Sequence, residues 1–327
     1  MRMKLGVLAA LLVGLAIAAA VLWHVGLDPV FAAIAKAGLV GFVLVILAGI
    51  PVIAFLGLAW RALVGPLAPH WVFFASRQLR DSATDLLPFT QIGGIVIGAR
   101  AGILSGIPAM TAYSTSVVDL TAEVMAQVAF TVMGLLIGFA KLRASAEMAP
   151  YLGGLIVGTV LLVPALFAFV VLQRKGGRLA AKLAEKFLPQ AVTHTERFAA
   201  IIESLYRQPK KIAQASTFHL IAWILSGLWV WVIFRLCGAD IDAMSAIAIE
   251  SLLAVLRAVM VFVPASLGVQ EAGYAALAPV FGMGPEVGLA VSLMKRARDI
   301  AVGVPTLLIW QAFEGKRLFA ADEGEKT

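Results

Sequence analysis

The stretch "LLPFTQIGGIVIGAR", residues 86–100, interrupts apolar sequence with a proline, two adjacent glycines and a closing arginine. Proline removes a backbone donor and clashes with the carbonyl four residues back, and glycine lets the chain turn sharply. A helix cannot run cleanly through it. A looser echo, "FVPASLGVQEAG", occupies 262–273. Aligned, Leu79-Arg80, Pro88 and Gly93 correspond to Leu256-Arg257, Pro264 and Gly268, with similar spacings. The candidate helix breaks are therefore Pro88, Gly93, Gly94, Pro264 and Gly268.

The solvent around these breaks follows from composition. Of 327 residues, 61% are hydrophobic and 14% charged, against about 45–50% and about 25% in soluble domains. Mean hydropathy is +0.95. Several uncharged runs reach the ~20 residues that span a bilayer as a helix, and strand-like alternation is absent. The fold class is an all-α polytopic membrane protein, with about six full spans and two broken, re-entrant helical hairpins in an inverted repeat. The whole chain reads as one integral membrane domain: a repeat half at 1–173, a linker at 174–214, a second half at 215–313 and a polar tail at 314–327.

The spans fall at about 5–23, 39–60, 115–140, 150–172, 216–236 and 286–313. The first is too long for a signal-peptide core and reads as an uncleaved span. The linker carries nine Lys/Arg against three Glu. Its Leu179, Leu183, Phe187 and then Phe198, Ile202 and Leu205 recur at helical spacing. Two amphipathic helices lying on anionic inner-leaflet lipids fit this pattern, as does a solvated basic linker. Basic residues orient both termini and the linker to the cytoplasm and the acidic turn at 237–245 to the outside. Lys141 and Arg143 then fall in an outer loop, against that rule. An odd number of spans separates the two broken stretches, so they open to opposite faces, as an inverted repeat requires.

Charged residues inside such a chain need a partner or a task, since each costs roughly 2.5–3.5 kcal/mol at the bilayer centre. Arg77 and Asp81, and Lys295 and Asp299, are four apart and read as structural pairs. Glu250 and Arg257 lie two turns apart. Arg80, Arg100, Arg257 and Arg298 have no evident local partner, and arginine forks well onto phosphate. These four are the candidate ligands for an anionic lipid head. Asp119, Glu123 and Glu271 would balance them or receive a cationic part of the headgroup.

Other classes find little footing. The single cysteine, Cys237, excludes an intrachain disulfide and a cysteine metal cluster. His24, His70, His194 and His219 are scattered, so no metal or cofactor is expected. No basic stripe is interleaved with aromatics, so the net charge of +7 does not indicate nucleic acid. "GILSG" at 102–106 misses the spacing of a serine-nucleophile turn, and no H-E-x-x-H occurs. An enzyme is not expected, although Asp119 and Glu123 could perform acid–base work. Small-residue patterns such as "GGIVIGARAGILSG" permit close helix packing within or between subunits.

"LRDSATDLLPFTQIGGIVIGARA" and "VLRAVMVFVPASLGVQEAGYAAL" resemble the two signature regions of the lysylphosphatidylglycerol synthase transmembrane-domain family. The first is most similar to its branch of hopanoid-biosynthesis-associated membrane proteins. The resemblance implies a domain of the bacterial cytoplasmic membrane that moves a lipid headgroup between leaflets. In multiple peptide resistance factors such a domain flips aminoacylated phosphatidylglycerol, which a separate soluble domain makes. That synthase has no counterpart in this sequence, so a hopanoid, a glycolipid or a polyprenyl-linked sugar fits equally. The alternative is a scaffold for lipid-biosynthesis enzymes, or less readily a lipid transferase.

Overall fold

A computed structural model describes residues 27–87, 90–142, 192–260 and 263–324. All regular structure among them is helical. The expected spans at 5–23 and 150–172, the linker's first helix and Pro88 lie outside the described residues.

Helix α1 (Leu27–Ala48) has a break at Gly38, where φ is 58°, and Gly49 separates it from α2 (Ile50–Val64). Pro51 lies in the first turn of α2, where its missing N–H is no loss. Helices α3 (His70–Leu86) and α4 (Thr90–Leu104) form the first hairpin, followed by the long α5 (Ala109–Leu142). Then come α6 (Val192–Tyr206) and α7 (Pro209–Leu236). Helix α8 (Ala243–Val259), a 3-10 turn (Pro264–Ser266) and α9 (Val269–Val280) form the second hairpin, followed by the long α10 (Pro285–Gly324). Hairpin then long helix thus occurs twice.

Among the described residues, Val30–Val64, Ala109–Lys141 and Pro209–Leu236 are long and apolar enough to cross a membrane. The expected span at 286–313 lies on α10, whose run of charges keeps it out of that set. Leu39, Val40, Leu136 and Phe313 stand exposed on the bundle, as suits a surface bathed in lipid rather than water. Helix α10 continues to Gly324, so the polar tail extends the helix instead of leaving it.

Helix α5 fixes where the hairpins open. The first hairpin feeds into its start through the turn at Gly106. At its other end, Lys141 pairs with Asp242, the residue that caps the second hairpin through the amides of Met244 and Ser245. Burial opposes ionisation of Asp242, but hydrogen bonds from Lys141 and Ser245 outweigh it and hold this carboxyl near a pKa of about 2. Thirty-four residues of helix, roughly 50 Å, separate the two bases. The hairpins therefore enter from opposite ends of the bundle. Lys141, which counted against the charge pattern, is neutralised by the acidic turn expected at that same end.

Three apolar clusters hold this together. The largest joins α1, α7, α8, α9 and α10 around Val230, Ile233, Phe234, Leu253 and Tyr274. A second packs Trp60 edge-on to Phe73, with ring centroids 5.4 Å apart. The third corrects the reading of the linker. Ile202 and Leu205 of α6 are buried against Leu63, Val118, Ala122 and Ala215, with Phe198 packed beside them. The apolar face of α6 thus meets protein, not a lipid surface. Residues 209–214, assigned to the linker, already belong to α7.

Candidate functional site

Both breaks exist, and both meet α10. In the first, α3 ends at Leu86 and α4 begins at Thr90. Gly93 and Gly94 therefore lie inside α4 and do not make the turn. That position overturns their expected role as breakers, and at Gly94 packing supplies another: a Cβ there would sit 2.6 Å from the Arg80 carbonyl oxygen. One on Gly98 would sit 2.9 Å from the Ser76 carbonyl oxygen. These glycines let the two arms of the hairpin touch. In the second break, Ala265 and Ser266 take the left-handed conformation, with φ of 54° and 49°, and Gly268 follows at 75°.

The Leu86 end of the first hairpin lies on Gly303, where a Cβ would come 2.6 Å from its side chain. The second break is held by Arg296, whose Nη1 donates to the Ala265 carbonyl at 2.7 Å and Nη2 to the Ser266 carbonyl at 3.1 Å. Arg296 and Gly303 are two turns apart, about 10 Å along the helix. The tips of the opposed hairpins thus converge on one short stretch of α10. Its side chain Asp299 lies between them in sequence.

Two networks of charge flank this point. In the first, Arg80 reaches Asp119 at 3.0 Å and Glu123 at 2.9 Å. Arg77 reaches Asp81 at 2.9 Å and Glu123 at 3.0 Å, and His219 Nε2 lies 2.8 Å from Asp119. In the second, Glu250 is met by Arg257 at 2.9 Å, by Lys295 at 3.0 Å and by the Tyr274 hydroxyl. Glu271 is met by Arg296 at 2.8 Å. The long helices contribute at matching positions: Asp119 is as far from Ala109 as Lys295 is from Pro285, and Glu123 and Asp299 each follow one turn later.

Between the networks is a cavity of about 320 Å³, within the range of sites that hold small molecules. Thr84 and Asp85 face it from beside the first break, and Ala265 and Ser266 from the second. Of the residues expected to bind, Glu123, Arg257 and Arg298 line it. Arg80, Asp119 and Glu271 are not on its wall, each being joined by an ion pair to a residue that is. Arg100 does not belong. Its side chain is 46% exposed and pairs with Glu314 at 2.9 Å.

The four arginines with no evident local partner all have one in the structure, across helices for Arg80 and Arg100 and within their own helix for Arg257 and Arg298. Arg257 pairs with Glu250, and Arg298 with Asp299 at 3.1 Å. That last contact also corrects the expected Lys295–Asp299 pair, because Lys295 turns to Glu250 instead. Arg298 lies over the Trp229 ring at 5.3 Å, and its Nε is buried with no hydrogen-bond partner among the described residues. Sequence reading passed over Arg296, Asp85 and His219. Nothing local marks them: the partners of Arg296 and His219 lie on other helices, and Asp85 has none among the described residues.

Asp119, Glu123 and His219 bring one ligand atom each within 4.8 Å of one another. Arg77 and Arg80 already hold both carboxylates, so a metal ion would have to displace two guanidinium groups. Their fit to a cation is poor.

The fold and its buried charges define a polytopic helical membrane protein whose polar interior is built from broken helices. The match to a known family is broad. The chain belongs to the lysylphosphatidylglycerol synthase TM region family, whose model matches residues 7–306. Membership ties it to membrane lipids. Comparison with curated proteins and with solved structures gave no match.

Proposed function

We propose that the protein is a lipid flippase, moving an anionic or aminoacylated phospholipid, a hopanoid or a glycolipid headgroup between the leaflets of a bacterial cytoplasmic membrane. The observation that carries this reading is the convergence of two opposed hairpin tips on a charged cavity at α10. Polar backbone freed at a helix break cannot face lipid, so it must line protein or water. A cavity reached from opposite ends offers a headgroup a polar path while the acyl chains stay in the bilayer.

Within that reading, Arg257 and Arg298 receive the phosphate, and Glu123 and its partners keep the walls near neutrality. A neutral wall binds a charged headgroup without trapping it. No bond is made or broken in the lipid, so the protein is a transporter and not an enzyme. With both termini cytoplasmic, the first hairpin opens inward and the second outward.

The test is translocation of labelled phosphatidylglycerol in reconstituted vesicles, wild type against Arg257→Ala. A slower variant is expected. Equal rates would reject the role of Arg257.

A further inference from the structure

Among the described residues, every charged side chain lining the cavity has an ion-pair partner except Asp85. It makes no ion pair and no hydrogen bond among the described residues, yet it is half-buried in the cavity wall. Helix α3 packs on α10 at this point, through Ser82 and Leu86 against Gly303. That contact brings Asp85 toward Asp299, one turn before Gly303 and on the same cavity wall. Among the described residues, Asp299 has a single ion-pair partner, its chain neighbour Arg298.

The charges around Asp85 come from three elements. Asp299 on α10 and Asp81 on its own helix oppose a negative charge there, while Arg257 on α8 and Arg296 on α10 favour it. Both arginines are committed elsewhere, to Glu250 and to Glu271 with the break carbonyls. Two carboxylates sharing a poorly solvated site cannot both ionise cheaply, and a single shared proton resolves the conflict.

We infer that Asp85 and Asp299 form a proton-binding pair at the meeting point of the hairpins, through which movement of a lipid headgroup is coupled to a proton gradient. The coupling rests on the transport reading above; the proton pair does not. One proton is taken from water at one end of the cavity and returned to water at the other. No covalent bond to the lipid changes. The pair sits where the two tips converge, so its charge bears on both at once.

The decisive experiment is pH-difference infrared spectroscopy on the full chain in lipid, with vesicle translocation measured under an imposed proton gradient. The wild type should show the carbonyl band of a protonated carboxyl. That band should disappear in Asp85→Asn and also in Asp299→Asn, since removing either like charge lets the other carboxyl ionise. A purely structural aspartate would lose it in one variant alone. If an asparagine variant fails to fold, Asp85→Ser or Asp299→Ser takes its place, so that both positions are read; loss of the band at one position alone overturns the pair. A band absent from the wild type, or kept in both variants, overturns the inference. So does a wild-type translocation rate indifferent to the gradient. If the band behaves as expected but no labelled lipid moves under any condition, the proton pair stands and the transport reading falls.

Discussion

Lys295 on α10 lies 3.0 Å from Glu250 on α8, and both side chains are almost wholly buried. Glu250 also accepts from Arg257, Tyr274 and Ser226, which makes it the hub of the second charge network. Stranding a buried ion by removing its partner costs about 3–5 kcal/mol. Glu250→Leu strands two cations and should lower the thermal unfolding midpoint in detergent strongly. Lys295→Met leaves Glu250 with Arg257 and Tyr274, so it should cost clearly less. Equal losses would contradict the hub.

The first hairpin depends on glycine for close approach. Gly98→Ala places a methyl 2.9 Å from the Ser76 carbonyl oxygen, so the arms must separate. Overpacking of this kind costs about 1–3 kcal/mol. At Gly138 nothing lies within 4 Å of an added Cβ, so Gly138→Ala should be neutral or stabilising by about 1 kcal/mol at most. Unfolding midpoints of the two variants separate packing from helix propensity.

Arg296 fastens the second break through two carbonyls and Glu271. Arg296→Gln should loosen that segment, and hydrogen exchange should rise at residues 263–268 while staying unchanged in α2. Ala265→Gly should partly offset this, since a left-handed alanine costs about 1–2 kcal/mol relative to glycine. Uniform exchange across the chain would mean that the clamp is not local.

Arg100 provides the contrast. Its pairing with Glu314 is largely exposed and outside the cavity. Exposed pairs contribute about 0–1 kcal/mol, so Arg100→Gln should leave both unfolding midpoint and translocation rate close to wild type. A large loss of transport would return Arg100 to the site.

How much of this could be read from residues alone depended on range. An interruption between Leu86 and Thr90 was legible because the sequence there carries a residue type that cannot continue a helix. Gly93 and Gly94 were not, since glycine serves equally to turn a chain and to let two helices touch, and only the neighbour decides. Arg77 with Asp81 was visible as a four-residue spacing. That Asp119 and Glu123 balance arginines was legible from their types, but which arginine each meets, and that His219 joins Asp119, was not, because these side chains meet across helices far apart in sequence. The same limit explains the choice of Arg298 over Arg296. Residues two apart on a helix point in nearly opposite directions, and the sequence does not say which one faces the second break. The amphipathic pattern of α6 was correct, but periodicity names an apolar face without naming what covers it.

The central claim is that the cavity at the convergence of the two hairpins carries a lipid headgroup across the membrane. The most direct measurement is the initial rate at which labelled phosphatidylglycerol becomes accessible to a membrane-impermeant quencher, in vesicles with and without the full-length protein. Acceleration by the wild type is expected, with a slower rate in Arg257→Ala folded to the same unfolding midpoint. Identical rates in protein-free, wild-type and variant vesicles, across phosphatidylglycerol, its aminoacylated form and a glycolipid, would contradict it.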